Sequence, residues 1–293
     1  MKPLADSASI GIQFQFSEWD FFLSVLSMML LAAAGNVIND YFDQKVDRIN
    51  KPTRVIVGKT VKRRVAMVLH QGLNILAVLI GVYIAWKTKM WMAIVVPVFI
   101  ATVLWWYSPV LKKLPLAGNL AVALCVALVP IWAAYFEIHL IYDGYRDMLP
   151  DPSILYRSLW IATLVYAAYA FLLTLAREAI KDMEDLPGDQ AGGYRTLPVL
   201  FGTNRVKKYV TALFAVIMIS IGWIAFRLFG EHPQFIRIAC LLGAMVFVPL
   251  LIASAKTIRS VRREQFHSAS NWCKLSMGGG VLFGFVLRFI VYG

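Results

Sequence analysis

Eight long apolar segments constrain the fold of this chain more than any other feature of its sequence. Each has about the 20 residues that an α-helix needs to cross the hydrocarbon core of a bilayer. Inside a bilayer every backbone N–H and C=O group must find a partner within the protein, so runs of this length favour helices. The segments lie at about 19–38, 66–86, 90–108, 117–137, 156–177, 207–228, 234–255 and 272–292. The sequence therefore predicts an all-α polytopic membrane bundle of about eight transmembrane helices, forming a single domain over residues 1–293.

Composition points the same way. Of the 293 residues 59% are hydrophobic and only 16% are charged, and a water-soluble domain cannot bury so much apolar surface. The net charge of +12 comes from Lys and Arg residues that cluster between the apolar segments. That distribution is typical of loops retained in the cytoplasm rather than of a nucleic-acid-binding patch. We therefore expect an integral protein of the cell membrane that contacts lipid and no nucleic acid.

The same basic residues predict the orientation of the chain. The connections 44–64, 178–206 and 256–271 are rich in Lys and Arg, whereas 138–155 is less basic. Since short basic loops stay in the cytoplasm, we expect the first three connections on that side of the membrane.

Two aspartate motifs with identical spacing follow the first and the fifth apolar segments. They consist of Asp40, Asp43 and Asp47 and of Asp182, Asp185 and Asp189. On a helix, positions i, i+3 and i+7 share one face, where three carboxylates repel one another unless a cation binds. Carboxylate oxygens that hold Mg²⁺, which in turn holds phosphate oxygens, are the usual solution. A solvated helix end with scattered acids explains one such motif better than it explains two.

The two motifs also indicate an internal repeat. The fifth segment comes four helices after the first, an even number, so the helices that carry the motifs have the same orientation and both motifs are expected at the cytoplasmic face. We predict parallel repeat halves at about 19–137 and 156–293 around a central cavity. The copies differ at Pro187 and Gly188, which predict a helix break that leaves Asp189 in a loop.

Basic residues follow each motif in a turn-rich segment. Arg54 comes after the first and Arg195 after the second, and Lys51 lies beside Arg54. Carboxylates for a metal together with Arg or Lys suit a diphosphate, whose oxygens need both kinds of charge. We expect Arg54 and Arg195 to contact phosphate, with topology-determining surface charge as the alternative.

Three ionisable residues lie between the end of the fifth apolar segment and the second motif. Arg177, Glu178 and Lys181 lie near the expected membrane interface. Such residues either serve function or pair with one another, and the sequence leaves both open. The four histidines are dispersed and fit no metal-ligand spacing.

The chain from about residue 19 to its end resembles the UbiA superfamily of intramembrane prenyltransferases. The resemblance is carried by Asn39-Asp40-x-x-Asp43-x-x-x-Asp47, by Asp182-x-x-Asp185-x-x-x-Asp189 and by Tyr107-Ser108-Pro109 with Lys112. Within the superfamily, Asn50-Lys51-Pro52 and Arg177-Glu178 look most like digeranylgeranylglyceryl phosphate synthases. That likeness is weaker evidence than the superfamily match, because the acceptor pocket decides the chemistry.

The resemblance implies Mg²⁺-dependent transfer of a prenyl group, geranylgeranyl in the synthases, from its diphosphate to the hydroxyl of a prenylglyceryl phosphate in ether lipid biosynthesis. The implied Mg²⁺ ligands are Asp40, Asp43, Asp47, Asp182, Asp185 and Asp189, of which Asp40, Asp43, Asp182 and Asp185 are catalytic. The implied substrate-binding residues are Asn36, Asn39, Lys51, Arg54, Tyr107, Lys112, Glu178, Lys181 and Arg195. The implied partners are a prenyl diphosphate and a lipid-soluble acceptor.

Other functions remain open at this point. Aromatic acceptors of quinone or haem biosynthesis fit the same superfamily, and intramembrane acids also occur in cation-coupled transporters, although usually nearer mid-membrane. A lipid-binding scaffold is a further alternative. The superfamily usually has nine helices, and only about 18 residues precede the first apolar segment here, so we expect its first helix to be missing or degenerate.

Overall fold

The described part of the chain is built from helices. A computed structural model describes residues 15–53, 55–148, 151–229, 238 and 240–292, and no β-strand occurs among them. The helices are α1 (Glu18–Phe42), α2 (Gln44–Asn50), α3 (Arg63–Thr88), α4 (Met92–Tyr107), α5 (Ala117–Tyr145), α6 (Pro152–Glu184), α7 (Leu186–Ala191), α8 (Leu197–Phe201), α9 (Thr203–Phe229), α10 (Val248–Arg259) and α11 (Arg263–Tyr292). A 3₁₀ turn at Leu111–Lys113 precedes α5, and a π-helical turn at Gly243–Phe247 leads into α10. The all-α membrane fold is confirmed.

The number of membrane-crossing helices is a separate question. Within the described residues six helices are long and apolar enough to span a bilayer: α1, α3, α5, α6, α9 and the helix Cys240–Arg259 that includes the π-helical turn. The predicted segment 90–108 forms α4, which has only 16 residues. The predicted segment 272–292 is the latter part of the longer α11. A count of eight is therefore not confirmed.

The prediction of a loop over residues 256–271 is wrong. Helix α10 continues to Arg259 and α11 begins at Arg263, so only three residues connect them. Lys256 and Arg259 lie in the last turn of α10, where cations interact favourably with the last carbonyl groups of a helix. The stretch therefore extends two helices instead of separating them by a long loop. The segment 1–14, where the expectation about a first helix falls, lies outside the described residues.

Apolar side chains cover much of the helix surfaces. In each of these six helices only 22 to 33% of the most apolar stretch is buried within the protein. Trp86, Ile219 and Phe226 are about 70% exposed. Such surface is costly in water and favourable in hydrocarbon, so these helix faces are suited to lipid.

The chain divides into two compact units. The first comprises Met1–Leu111 and Leu124–Tyr169, and the second comprises Lys112–Ala123 and Ala170–Gly293. The first motif therefore belongs to the first unit, and the second motif to the second.

Close contacts between α1, α3 and α4 order the first unit. Ser27 on α1 donates a hydrogen bond from its hydroxyl to the backbone oxygen of Ala77 on α3, at 2.9 Å. Gly81 on α3 leaves room for α4, because a Cβ at this position would lie 2.5 Å from the backbone oxygen of Ala93. Small residues of this kind let helices in a bilayer approach closely. The packing fixes α1, which carries the first motif at its far end.

A carboxylate on α5 holds the beginning of α1. The two oxygens of Glu137 accept hydrogen bonds from the backbone N–H groups of Gln15 and Phe16, at 2.7 and 3.0 Å. The ring of Phe16 stacks on Phe136, with 5.2 Å between the ring centroids. Backbone donors ahead of a helix have no intrahelical partner, and Glu137 supplies one.

In the second unit the π-helical turn packs against α11. The hydroxyl of Ser276 donates to the backbone oxygen of Val246 at 2.9 Å. Gly279 lies one turn further along α11, and a Cβ there would collide with the backbone oxygen of Met245. The sequence Gly278-Gly279-Gly280 thus allows two backbones to touch, and the touching position is Gly279.

Candidate functional site

The first motif lies where α1 changes into α2. Helix α1 ends at Phe42, Asp43 joins the two helices, and α2 carries Asp47. The backbone N–H of Asp43 donates to the carbonyl of Asn39 at 2.9 Å, and that of Asp47 donates to Asp43 at 2.8 Å. The prediction of one continuous helical face is thus modified, since the helix is interrupted at Asp43 while the i to i−4 bonds persist.

The second motif has the same local structure. Helix α6 ends at Glu184, Asp185 joins it to α7, and Asp189 lies within α7. The backbone N–H of Asp185 donates to Lys181 at 2.8 Å, and that of Asp189 donates to Asp185 at 3.1 Å. The predicted break is therefore present, but the prediction that it leaves Asp189 in a loop is wrong. Pro187 stands in the first turn of α7, where its missing N–H is not needed.

The joining aspartates share an uncommon backbone conformation. Asp43 has φ −82° and ψ 2°, and Asp185 has φ −94° and ψ 7°. Both values fall in the sparsely populated bridge region, where many active-site residues are found. Each unit thus contains the same structural element, a long helix, a joining aspartate and a short helix with a further aspartate. This likeness of the two motifs is the strongest structural sign of the predicted repeat.

An asparagine from the start of α5 binds the first carboxylate of the second motif. The side-chain nitrogen of Asn119 donates to Asp182 Oδ2 at 2.9 Å, and Asn119 is buried. A donated hydrogen bond favours the charged carboxylate and fixes its orientation. The two residues are 63 positions apart in the chain, so their contact depends on the fold.

Asp189 is held on both its side chain and its backbone. Thr196 Oγ1 donates to Asp189 Oδ2 at 3.1 Å, and the N–H of Tyr194 donates to the carbonyl of Asp189 at 2.8 Å. All three residues are buried. Lys113 lies over the ring of Tyr194, with 5.8 Å between its Nζ atom and the ring centroid. These contacts fold the segment after the motif back towards it.

Basic side chains from the start of α11 contact the acids at the end of α6. Arg263 Nη2 lies 3.7 Å from Asp185 Oδ1, and His267 Nδ1 lies 3.0 Å from Glu184 Oε1. No sequence pattern connects these four residues, because the histidines show no ligand spacing and α11 follows much later in the chain. Arg263 was visible in the sequence only as part of a basic stretch.

Glu178 is paired with its own neighbours on α6. Arg177 Nη1 lies 2.6 Å from Glu178 Oε1, and Lys181 Nζ lies 3.1 Å from Glu178 Oε2. The Glu178 side chain is only 7% exposed. Lys112 is close enough to act on this carboxylate electrostatically. Of the two alternatives for Glu178, the structure therefore provides the pairing, and a contact with substrate stays a prediction.

The remaining predicted substrate-binding residues that the structure describes are divided between the two units. Asn36 is exposed and Asn39 half-buried on α1, and the backbone N–H of Lys51 donates to the carbonyl of Asp47 at 2.6 Å. Tyr107 ends α4. In the second unit, the backbone N–H of Arg195 donates to Lys113, beside the half-buried Lys112. Arg54 lies outside the described residues. The first unit thus groups Asn36, Asn39, Asp40, Asp43, Asp47 and Lys51, and the second groups Lys112, Glu178, Lys181, Asp182, Asp185, Asp189 and Arg195.

The donor atoms of both motifs suit a hard divalent cation. They are carboxylate and amide oxygens, which Mg²⁺ prefers, without the thiolate or imidazole groups that favour zinc. Within the described part of the chain no three Asp, Glu, His or Cys side chains form a ready-made metal cluster. Mg²⁺ typically takes only one or two carboxylates and completes its shell with water and substrate phosphate, so the side chains present fit it.

Comparisons with known proteins identify the family of this chain. The sequence profile of the UbiA prenyltransferase family matches residues 7–271. A digeranylgeranylglyceryl phosphate synthase from Methanobrevibacter smithii is 31% identical over 87% of this chain and 82% of its own length. Another from Thermococcus kodakarensis is 30% identical over 87% of this chain and 80% of its own.

A solved structure supports the fold. A UbiA homologue from Archaeoglobus fulgidus, bound to GPP and Mg²⁺, superposes with a TM-score of 0.57 at 19% identity, over 96% of this chain and 93% of that one. The family profile covers well over half of the chain, and the all-α membrane fold is the one expected from the resemblance. This chain therefore belongs to the UbiA prenyltransferase family.

Proposed function

We propose that this chain is a Mg²⁺-dependent prenyltransferase that transfers a geranylgeranyl group from its diphosphate to the hydroxyl of geranylgeranylglyceryl phosphate, in ether lipid synthesis. The observation that carries the proposal is the recurrence of one acidic helix-end structure at Asp43 and Asp185, within a chain about 30% identical to synthases of this reaction. The UbiA homologue bound to GPP and Mg²⁺ supports the choice of donor and metal.

The aspartates are proposed to act on the diphosphate through the metal. Asp40, Asp43 and Asp47 in the first unit, and Asp182, Asp185 and Asp189 in the second, would bind Mg²⁺. Bound Mg²⁺ would stabilise the negative charge that develops on the leaving diphosphate. The chain itself fixes the carboxylates. Asp43 is only 1% exposed and its backbone N–H is bonded to Asn39, and Asn119 orients the carboxylate of Asp182.

The basic and polar residues are proposed to bind the same anion or the acceptor. Arg54, Arg195, Lys51 and Lys112 would neutralise phosphate oxygens, because cationic donors make the stronger hydrogen bonds to them. Asn36, Asn39 and Tyr107 would position substrate near the first motif. Helix faces rich in apolar side chains would accept the prenyl tails and exclude water from an allylic cation.

The basic connections are proposed to lie in the cytoplasm, with both motifs on that side. The support for this orientation is the Lys and Arg content of 44–64, together with Lys112 and Lys113. Mg²⁺ and the polar diphosphate group of the donor would then reach the site from the cytoplasmic side, and the lipid-soluble acceptor would arrive through the bilayer.

The test is a prenyl transfer assay in membranes. Labelled geranylgeranyl diphosphate and Mg²⁺ are offered with geranylgeranylglyceryl phosphate in one reaction and with aromatic quinone precursors in others. We expect product only with the glyceryl phosphate, and none in EDTA. Asp43→Asn and Asp185→Asn keep the side-chain size but remove a metal-binding charge, so each should lower kcat/KM by about 100-fold or more.

Asp151→Asn is the matched control, because this exposed aspartate caps α6 through Ser153 at a distance from both motifs. It should retain activity. Product with an aromatic acceptor alone would preserve the family assignment and overturn the acceptor. Full activity of Asp43→Asn or Asp185→Asn would contradict the proposed metal site.

A further inference from the structure

Four polar residues form one stripe along α6 ahead of the second motif. Thr174, Arg177, Glu178 and Lys181 stand at positions i, i+3, i+4 and i+7, which share one face of a helix. They occur inside a helix whose composition suits a membrane span. Polar and ionisable residues at such a position are costly and usually serve a purpose.

The stripe has more cationic groups than its one carboxylate can neutralise. Arg177 and Lys181 both pair with Glu178, at 2.6 and 3.1 Å, and Lys112 adds a third positive charge within electrostatic range. Glu178 offsets one of these charges, and Asp182, which lies within electrostatic range of Lys181, offsets a second. The remainder attracts an anion in a region of low dielectric, where charge interactions are strong.

Two donors in the stripe have no acceptor among the described residues. Arg177 Nε and Thr174 Oγ1 are both buried and make no hydrogen bond there. Thr174 is only 2% exposed. A buried polar group without a partner costs free energy, so an oxygen-rich ligand is the natural acceptor for both.

Helix α11 runs antiparallel beside this part of α6 and adds a further cation. Successive contacts join Arg263 to Asp185, and His267 to Glu184, and Cys273 Sγ lies 3.7 Å from the carbonyl oxygen of Leu173. The next residue, Lys274, is exposed. It lies within electrostatic range of Arg177, Lys181, Glu178 and Glu184.

We infer that Arg177, Lys181 and Lys274 bind the phosphate monoester of the acceptor, with Thr174 as an additional donor. The inference rests on the proposed function and specifies how its acceptor is recognised. A phosphate monoester is close to a dianion at neutral pH and offers three acceptor oxygens, which matches the excess charge and the unpaired donors. An aromatic acceptor without phosphate has no use for this cluster.

Within the cluster Lys181 adjoins Asp182, whereas Arg177 and Thr174 lie further along α6 from the proposed diphosphate site. Arg177 precedes Asp182 by five residues, a rise of about 7.5 Å along the axis. Two anions at that distance are bound by different groups, the diphosphate by metal on the aspartates and the monoester by side-chain cations. Specificity for a phosphorylated lipid then lies in α6 and α11.

The test replaces Lys274, because it is exposed and its loss leaves the Arg177–Glu178–Lys181 pairing intact. We compare Lys274→Gln with Lys208→Gln, a matched change of an exposed lysine on α9. The full chain in nanodiscs of neutral lipid is titrated, without Mg²⁺, with geranylgeranylglyceryl phosphate, with its dephosphorylated counterpart geranylgeranylglycerol, with inorganic diphosphate and with phosphatidylglycerol. Steady-state kinetics with Mg²⁺ give KM for each substrate.

Lys274→Gln should raise Kd and KM for the phosphorylated acceptor about tenfold, the effect of losing one charged contact, and should leave the donor KM unchanged. Binding of geranylgeranylglycerol should be the same in both variants. Arg177→Lys keeps the charge and the partner of Glu178 but loses the Nε donor, so it should weaken acceptor binding severalfold.

Several results would overturn the inference. One is an equal effect of Lys208→Gln on acceptor binding. Another is a loss of binding by Lys274→Gln that is confined to inorganic diphosphate. A loss of binding confined to phosphatidylglycerol would assign the cluster to a membrane lipid. The proposed function is judged separately by product formation in the unsubstituted chain. If the unsubstituted chain forms product and Lys274→Gln has no effect, the proposed function stands and the phosphate-binding cluster is refuted. If acceptor binding depends on Lys274 but no product forms, the cluster stands and the proposed function is refuted.

Discussion

Thr196 holds Asp189 by a single side-chain hydrogen bond within a buried setting. Its Oγ1 atom donates to Asp189 Oδ2 at 3.1 Å, and neither residue is more than 4% exposed. Thr196→Val preserves the shape of the side chain and removes the donor, so a buried carboxylate loses a partner. We expect a destabilisation of about 1–3 kcal/mol, seen as a fall of a few degrees in the Tm of the detergent-solubilised protein.

Thr163→Val is the control for that substitution, because the Thr163 hydroxyl only donates back to the carbonyl of Leu159 in its own helix. Its Tm should change little. Equal shifts for the two variants would mean that the Thr196 hydroxyl contributes nothing specific to the second motif.

At the same scale, spacing in the sequence predicts the aspartates but not what holds them. Asp182 and Asp185 were found because their repeat pattern is local. Asn119 and Arg263, which contact them, come from other helices and follow no pattern of their own. Such partners depend on how distant segments pack, and a single sequence does not contain that information in local form.

Gly279 controls the packing of α11 against the π-helical turn at Gly243–Phe247. Gly279→Ala places a methyl group against the backbone oxygen of Met245, which has no flexible side chain to move aside. We expect α11 to shift outward, with a loss of about 1–3 kcal/mol or more and a correspondingly lower Tm.

Gly278→Ala provides a close control, since nothing lies within 4 Å of a Cβ at that position. Alanine is the better helix former, so Gly278→Ala should be neutral or slightly stabilising. If both alanine variants had the same Tm, the close approach at Gly279 would be contradicted.

The long elements were predictable because a bilayer imposes their length and composition. Shorter features were harder to predict. Pro187 signalled the break in the second motif, but no glycine or proline marks the equivalent break at Asp43. The error at 256–271 has a different cause, since polar and basic residues also occur in helix ends that project beyond the apolar core.

At the scale of the molecule, the course of the chain depends on α4. Its 16 residues span about 24 Å, less than the ~30 Å of a typical hydrocarbon core. Exposed tryptophans at both ends, Trp91 and Trp106, are suited to the interface, and local thinning accommodates a short span. We therefore predict that α4 crosses and that Thr60 and Asp147 lie on opposite sides of the membrane.

The measurement uses Thr60→Cys and Asp147→Cys in a chain whose three native cysteines are replaced by alanine. A membrane-impermeant maleimide should label Thr60→Cys only from the cytoplasmic side and Asp147→Cys only from the other. Solubilised samples of both variants should react, which controls for accessibility of the thiol. Labelling of both positions from one side would mean that α4 does not cross.

The hydrogen bonds between Glu137 and the start of α1 have a consequence for when this part of the first unit is completed during synthesis. Helix α1 is the earliest described span to leave the ribosome, yet the acceptor for the N–H groups of Gln15 and Phe16 is synthesised more than 120 residues later. Until α5 emerges, those two donors depend on water or lipid headgroups. The start of the earliest described span is therefore held in place only after α5 has been made, and the first unit is completed by its own later-synthesised segment.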